Sequence, residues 1–430
     1  MWTSTVSAGC CIGASFCCMT SGEVFFSQAD DPAPPPCPDR PPPKPPPALQ
    51  LAFSSAGTDV AHFALQALYE RGGAIFGHDG VNTFNTISRE AAADAIRACP
   101  ATADLLPAYR LKYGRLRSLR YGRQPFASDG RLVRSCLGPQ QGCTWGTLVC
   151  ALVHQRALTL ATLRHPGSTV IGFADDAHVH NLVPQHAFSS LLLLRQVLRD
   201  RVGVQHNDKG GCIAAPGVDL SFAPPSFPGS PRHPDGPHRA YTALGSFVGE
   251  PGVVSAALSD RVLALDRDLD SCRYLVDSPT CRYALQARLR LIRDCACHAV
   301  THLVRAHAPA VSSDAATLHD KLVRHAVFHG LAPPPTSPSP AVRRAGHLLH
   351  LPARLGGHHG FTSAATTAPA AFLASSLEAF AALRLLLPHF RDTDLASDSR
   401  PTFVAMRDAH AGILSALSVA SSAHAAIDSS

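Results

Sequence analysis

A chain of 430 residues, 46% hydrophobic and 16% charged with a formal net charge of +6, is long enough for two or three domains and too apolar for wholesale disorder. Its 31 Gly follow no period of three and its 36 Pro interrupt every long segment, which excludes a collagen and an extended coiled coil. The 14 Cys are scattered, mostly in apolar stretches such as those around Cys99 and Cys150, as buried free thiols would be.

At the start, Cys10, Cys11, Cys17 and Cys18 surround a short apolar stretch, but the first positive charge is Arg40, so the basic leader of a signal peptide is missing. Secretion is not expected; the chain reads as soluble and intracellular, cytoplasmic or nuclear. Between Pro32 and Pro47, 11 of 16 residues are proline, which favours a polyproline II spacer. Residues 1–48 therefore read as a disordered Cys/Pro-rich segment.

Globular patterning begins at Leu49. A helix is expected near Val60 to Tyr69, a strand over Ala74-Ile75-Phe76 running into Gly77-His78-Asp79, and a helix from Ser88 to Ala98. From Leu105 to Ser128 there is no Asp or Glu, while Arg110, Lys112, Arg115, Arg117, Arg120 and Arg123 alternate with Tyr109, Tyr113 and Tyr121. That is either a solvated basic loop or a surface that neutralises phosphates and stacks bases. Further on, Thr169 to Phe173 and Ala177 to His180 read as two strands of a hairpin, with Asp175-Asp176 in the tight turn. Pro-rich breaks at Pro224 to Pro237 and Pro333 to Pro340 flank a mainly helical block, Tyr241 to His329. The best membrane candidate, Phe361 to Leu377, is short and diluted by Pro369, and no membrane partner is expected.

Two adjacent carboxylates at a hairpin tip either face solvent or hold a cation. A third carboxylate, Asp79 at the end of its strand, would complete the set that two-metal phosphoryl transfer needs. His178 and His180 share a strand face and are expected to pack or face solvent rather than bind Mg²⁺, which prefers oxygen. Cys295, His298 and His302 would lie along one helical face, where they could coordinate zinc.

GHDGVNTFNTISR resembles the first polymerase motif of non-LTR-retrotransposon reverse transcriptases, and GFADD resembles their aromatic-Ala-Asp-Asp motif, in family order. SCLGPQQGCTWG is similar to the family's Gln-Gly segment at Gln141 and Gly142, departing from the commoner wording at Cys143, Thr144 and Trp145. GVQHNDKGG resembles the segment that carries Asn207 and Lys209, with these two one residue closer together than the family has them. TALGSFVG resembles the primer-gripping hairpin, and LPARLGGHHG a Gly-Gly stretch downstream. The likeness covers about Leu49 to Ser376.

The resemblance implies an α+β palm-like antiparallel sheet backed by helices (49–223), a Pro-rich loop (224–240) and a primer-grip hairpin with a helical thumb-like region (241–331). A Pro-rich linker (332–340), downstream helices (341–415) and a flexible tail (416–430) would follow. About thirty patterned residues precede Asp79, fewer than the family's fingers subdomain, so a palm without fingers is expected. The implied reaction is RNA-directed DNA polymerisation, with RNA template, DNA primer and dNTP as partners. Asp79, Asp175 and Asp176 would hold two Mg²⁺, or Mn²⁺ in their place. Phe84 would stand against the incoming sugar, or else be a core Phe. Gln141, Gly142 and Lys209 would approach the nucleotide, and the basic run Arg110 to Arg123 the nucleic acid; Arg89 is a phosphate contact or a helix-surface charge. The alternatives are a catalytically dead retroelement relic that only binds nucleic acid, and a Cys/His metal-binding scaffold.

Overall fold

The computed structural model describes residues 49–114, 117–118, 120–121, 124–125, 134–135, 137–139, 143, 145–234, 240–271, 284–329, 349 and 361–428. The spacer at 1–48, the linker at 332–340 and the Gly-Gly stretch lie outside them. Two compact units result: one of residues 1–61, 71–237 and 385–388, the other of 62–70, 238–384 and 389–430.

The first unit is α+β. Strand β1 (Leu49–Gln50) precedes helix α1 (Gly57–Arg71), whose first residues belong here. Then come β2 (Ala74–Val81), α2 (Arg89–Ala98), α3 (Leu106–Tyr113) and α4 (Trp145–Arg164). The hairpin β3 (Thr169–Phe173) and β4 (Asp176–Asn181), helix α5 (Pro184–Val197), β5 (Gln205–Asn207) and β6 (Cys212–Ala214) complete it. The sheet order is β1-β3-β4-β2-β6, with β5 on β2 as well. Every pairing is antiparallel except β1 with β3.

Local chemistry explains the elements around the sheet. Ser88 caps α2, its Oγ accepting from the Ala91 amide at 3.3 Å. Apolar side chains of β2, β4, α2, α4 and α5, among them Phe76, Val179, Ile96, Leu158 and Leu191, form one core. Arg89 is not a free surface charge: it donates to the carbonyls of Gly138 at 3.3 Å and Tyr113 at 3.4 Å, tying α2 to the segment before α4. The Pro-rich stretch after β6 packs in turns: Phe227 is buried in the same core, and the Cys212 amide donates to the Pro228 carbonyl at 2.8 Å.

In the second unit a hairpin, β7 (Tyr241–Ala243) and β8 (Ser246–Val248), leads into α6 (Pro251–Ser271). Helices α7 (Ala284–Asp294), α8 (Thr301–Ala306), α9 (Pro309–His329), α10 (Ala364–Leu386) and α11 (Pro401–Asp428) follow. The hairpin turn puts both Leu244 (φ 52) and Gly245 (φ 77) in the left-handed region, the type I′ pattern that matches strand twist. Asp320 of α9 caps α10, accepting from the Ala364 and Ala365 amides at 2.9 and 3.2 Å and from Ser363 Oγ at 2.6 Å.

Three expectations need correction. Asp176 opens β4, so the turn is Ala174-Asp175 and not Asp175-Asp176. Helix α10 continues through Pro369 to Leu386 and is 23 residues, not a short diluted segment. It and α4 are long and apolar enough to cross a membrane by length and composition; 61% of the apolar stretch of α4 is buried and 33% of that of α10, which buries Phe372, Ala379, Phe380 and Leu383. Finally, Cys295 to Val300 forms a 3₁₀ turn and a break before α8, so His298 and His302 do not share a helix face with Cys295. The zinc arrangement fails for that reason, and among the described residues no three His, Cys, Asp or Glu side chains converge as a metal site.

Candidate active site

Strand β2 is central to the carboxylate cluster. Its pairing with β4 runs from Ala74↔Asn181 to His78↔Ala177, one residue short of Asp79 and Asp176. The hairpin pairing ends at Phe173↔Asp176. Asp79 and Asp176 therefore stand one residue past the last β2–β4 pair, and Asp175 in the adjoining turn, all at the same end of the sheet. On its other edge β2 pairs first with β6 and then with β5, where Asp79 stands opposite Asn207.

The turn that carries Asp175 is held from a distance. Ala174 takes φ 55, a left-handed conformation costly for a residue with a Cβ. Gln50 of β1 grips it, Oε1 accepting from the Ala174 amide at 2.9 Å and Nε2 donating to the Ala174 carbonyl at 3.2 Å. Gly210, after β5, approaches β2 so closely that a Cβ would stand 2.6 Å from the Gly77 carbonyl carbon.

The carboxylates are half-buried and within one another's electrostatic reach. Burial first, then Asp175 and Asp79, push Asp176 up to about 7. Asp175 is raised by burial and by Asp79, its own amide opposing them. Beneath them Cys150 of α4 is raised by burial and then by Asp175 and Asp176. No ion pair to Asp79, Asp175 or Asp176 occurs among the described residues. Three hard oxygen donors in mutual repulsion fit a divalent cation in kind, although the three side chains are not drawn together as a finished site.

Behind the aspartates the sheet is lined with buried imidazoles. His78 has no hydrogen-bond partner on either ring nitrogen among the described residues, and its ring lies 6.4 Å from those of His154 and His206. Burial lowers His154, His178 and His180 to about 4, the bonds of His154 to the Cys150 carbonyl and of His180 to the Gly72 carbonyl opposing it. Of the two expected placements, packed or facing solvent, His178 and His180 take the packed one.

Phe84 lies on a helical turn, Thr83–Thr86, partly buried against the core. A Cβ at Gly146 would stand 3.5 Å from its ring, an ordinary contact that places the ring against the start of α4. Lys209 is exposed, its amide bonded to Asn207 Oδ1 at 2.8 Å. The loop bearing it is anchored by Asp208, which pairs with the buried Arg195 at 2.6 Å; Arg195 also donates to the Asn207 carbonyl at 2.9 Å. Arg110 is exposed on α3, whereas Lys112 Nζ points to Cys143 Sγ at 2.9 Å. Arg117 and Arg120 lie in two-residue strands paired with Ser135 and Pro125. Their side chains, and Arg115, Arg123, Gln141 and Gly142 altogether, lie outside the described residues. Sequence reasoning missed Gln50, Arg195 and the histidine layer.

No protein-family model matches the chain, and no curated protein matches it. Among solved structures, a sicinivirus 3Dpol RNA-dependent RNA polymerase is similar over 67% of this chain and 54% of its own, at 11% identity and a TM-score of 0.33. A telomerase from Candida albicans, in complex with a TWJ fragment of telomeric RNA, is similar over 81% of this chain and 54% of its own, at 10% identity and a TM-score of 0.30. The chain thus spans about half the length of each.

Proposed function

We propose that the chain is a reverse-transcriptase-like domain that joins nucleotides under the direction of a template, RNA-directed DNA polymerisation being the reaction its motifs resemble. The observation that carries this reading is the register of β2 with β4. It sets Asp79 and Asp176 each one residue past the last β2–β4 pair at one end of the sheet, with Asp175 in the adjoining turn. Mg²⁺ or Mn²⁺ held by these carboxylates would stabilise charge on the entering and leaving oxygens. Asp176, raised by burial and then by Asp175 and Asp79, is the carboxylate whose proton such a cation would displace. Phe84 would lie against the sugar and Lys209 would reach the triphosphate. Arg110 with the basic stretch after it would track template and primer. A non-LTR retroelement origin belongs to the same proposal.

Primer extension on an RNA template with dNTPs and Mg²⁺ tests it. Extension by the chain and none by Asp175→Ala is the expected result; equal inertness of both removes the polymerase reading. One observation favours a second reading, a relic that binds nucleic acid without polymerising it: the three carboxylates do not converge as a finished metal site. Retained RNA binding in an inert chain would support that reading.

A further inference from the structure

Cys143 stands two residues before α4 and is partly exposed, with Lys112 Nζ 2.9 Å from its sulfur. Tyr113, itself buried, and the Trp145 amide also donate to that sulfur. Donors from the last turn of α3 and the first turn of α4 therefore converge on one atom. Burial alone would raise the thiol, but these hydrogen bonds and the Lys112 charge outweigh it and hold the thiol below its ordinary value. The positive end of a 20-residue helix acts in the same direction. Elsewhere the balance is opposite: burial raises Cys212 and Cys297 to about 12. Cys295 is the most exposed of the described cysteines.

We propose that Cys143 and Lys112 form an oxidation-responsive pair, in which a peroxide oxidises the Cys143 sulfur and Lys112 Nζ then closes an S–N bond to it. In the first step the thiolate sulfur attacks hydrogen peroxide. An S–O bond forms, the O–O bond breaks, hydroxide leaves and takes a proton, and the sulfur is oxidised to a sulfenic acid as the peroxide is reduced to water. In the second the Lys112 amine attacks that sulfur: the S–N bond forms, the S–O bond breaks and the oxygen departs as water. The surplus ammonium proton passes to solvent, and no further electrons move. A separation of 2.9 Å already places nitrogen and sulfur at attack distance. The link would join α3 to α4 and remove the Lys112 charge from the basic stretch. None of this depends on polymerase activity.

The test is limiting hydrogen peroxide on the full chain, followed by site-resolved peptide mass spectrometry with and without dimedone. Expected are faster oxidation of Cys143 than of the more exposed Cys295, and a Lys112–Cys143 peptide pair lighter than its parts by two hydrogens and released by dithiothreitol. In Lys112→Ala no linked pair should form, and Cys143 should oxidise more slowly to a dimedone-trapped sulfenic acid. Oxidation of Cys295 as fast as Cys143 in the unmodified chain overturns the activation; fast oxidation of Cys143 without a linked pair overturns the S–N step.

Discussion

The side-chain amide of Gln50 engages both backbone groups of Ala174, at 2.9 Å through its oxygen and 3.2 Å through its nitrogen, across 124 residues of sequence. Because Ala174 is the left-handed residue just before Asp175, this clamp fixes the turn that carries a candidate ligand. Gln50→Ala should lose about 1–2 kcal/mol in urea unfolding, the scale of two net hydrogen bonds. Gln50→Glu keeps the acceptor and loses the donor, so it should fall between. Stabilisation by added Mg²⁺ should shrink in both variants.

Asp176 gives a pH dependence whose sign is opposite to that of an ordinary salt-bridged aspartate. Its folded value of about 7 lies above the ordinary 3.8, so the folded state holds the proton more tightly than the unfolded chain. Its contribution is complete below about pH 4 and is lost as pH rises through 7. Asp176→Asn should therefore raise the melting temperature at pH 8 and leave it nearly unchanged at pH 4. Mg²⁺ should raise it at pH 8 in the unmodified chain and have little effect in the variant.

The Arg195–Asp208 pair joins a guanidinium with 6% side-chain exposure to a carboxylate with 30%. Asp208→Ala strands the cation, although the Asn207 carbonyl and the Phe227 ring, 4.8 Å away, still contact it. Roughly 2–4 kcal/mol should be lost in denaturant unfolding, at or below the range for a broken buried pair because Asp208 is partly hydrated. Replacing Arg195 by Met should cost less than Asp208→Ala, since no charge is then left buried.

Leu244 occupies the first left-handed position of the β7–β8 turn, where a branched side chain is strained. Leu244→Asn should stabilise the second unit by about 1 kcal/mol, because Asn-Gly is the preferred pair for this turn. An unchanged or lower unfolding midpoint would contradict the turn assignment.

What could be read in the sequence was local. The helical patterning from Ser88 to Ala98 marks α2, and the β-branched and aromatic run from Thr169 to Phe173 marks β3. The aspartates were found because Asp175-Asp176 is an unusual pair to follow a buried strand. Placing the turn between them was wrong by one residue because the left-handed state of Ala174 depends on Gln50, a partner that local pattern does not reveal. The apolar stretch Phe361 to Leu377 reads as short and diluted by Pro369, while the packing of Phe380 and Leu383 beyond that proline carries helix α10 on to Leu386. The spacing of Cys295, His298 and His302 suggested one helix face, but spacing alone does not report the break before α8.

The buried imidazoles behind the aspartates make unfolding a proton-consuming event. His154, His178 and His180 stay neutral in the folded chain down to about pH 4, and burial likewise holds His78 well below the ordinary range, while an unfolded histidine gains its proton near 6.5. At pH 5 each of these rings should draw one proton from solvent as the first unit opens. Calorimetric unfolding in buffers of different ionisation enthalpy would count them. A molecule with 23 histidines thus keeps several of its potential charges hidden until it comes apart, and mild acid alone should favour the open chain.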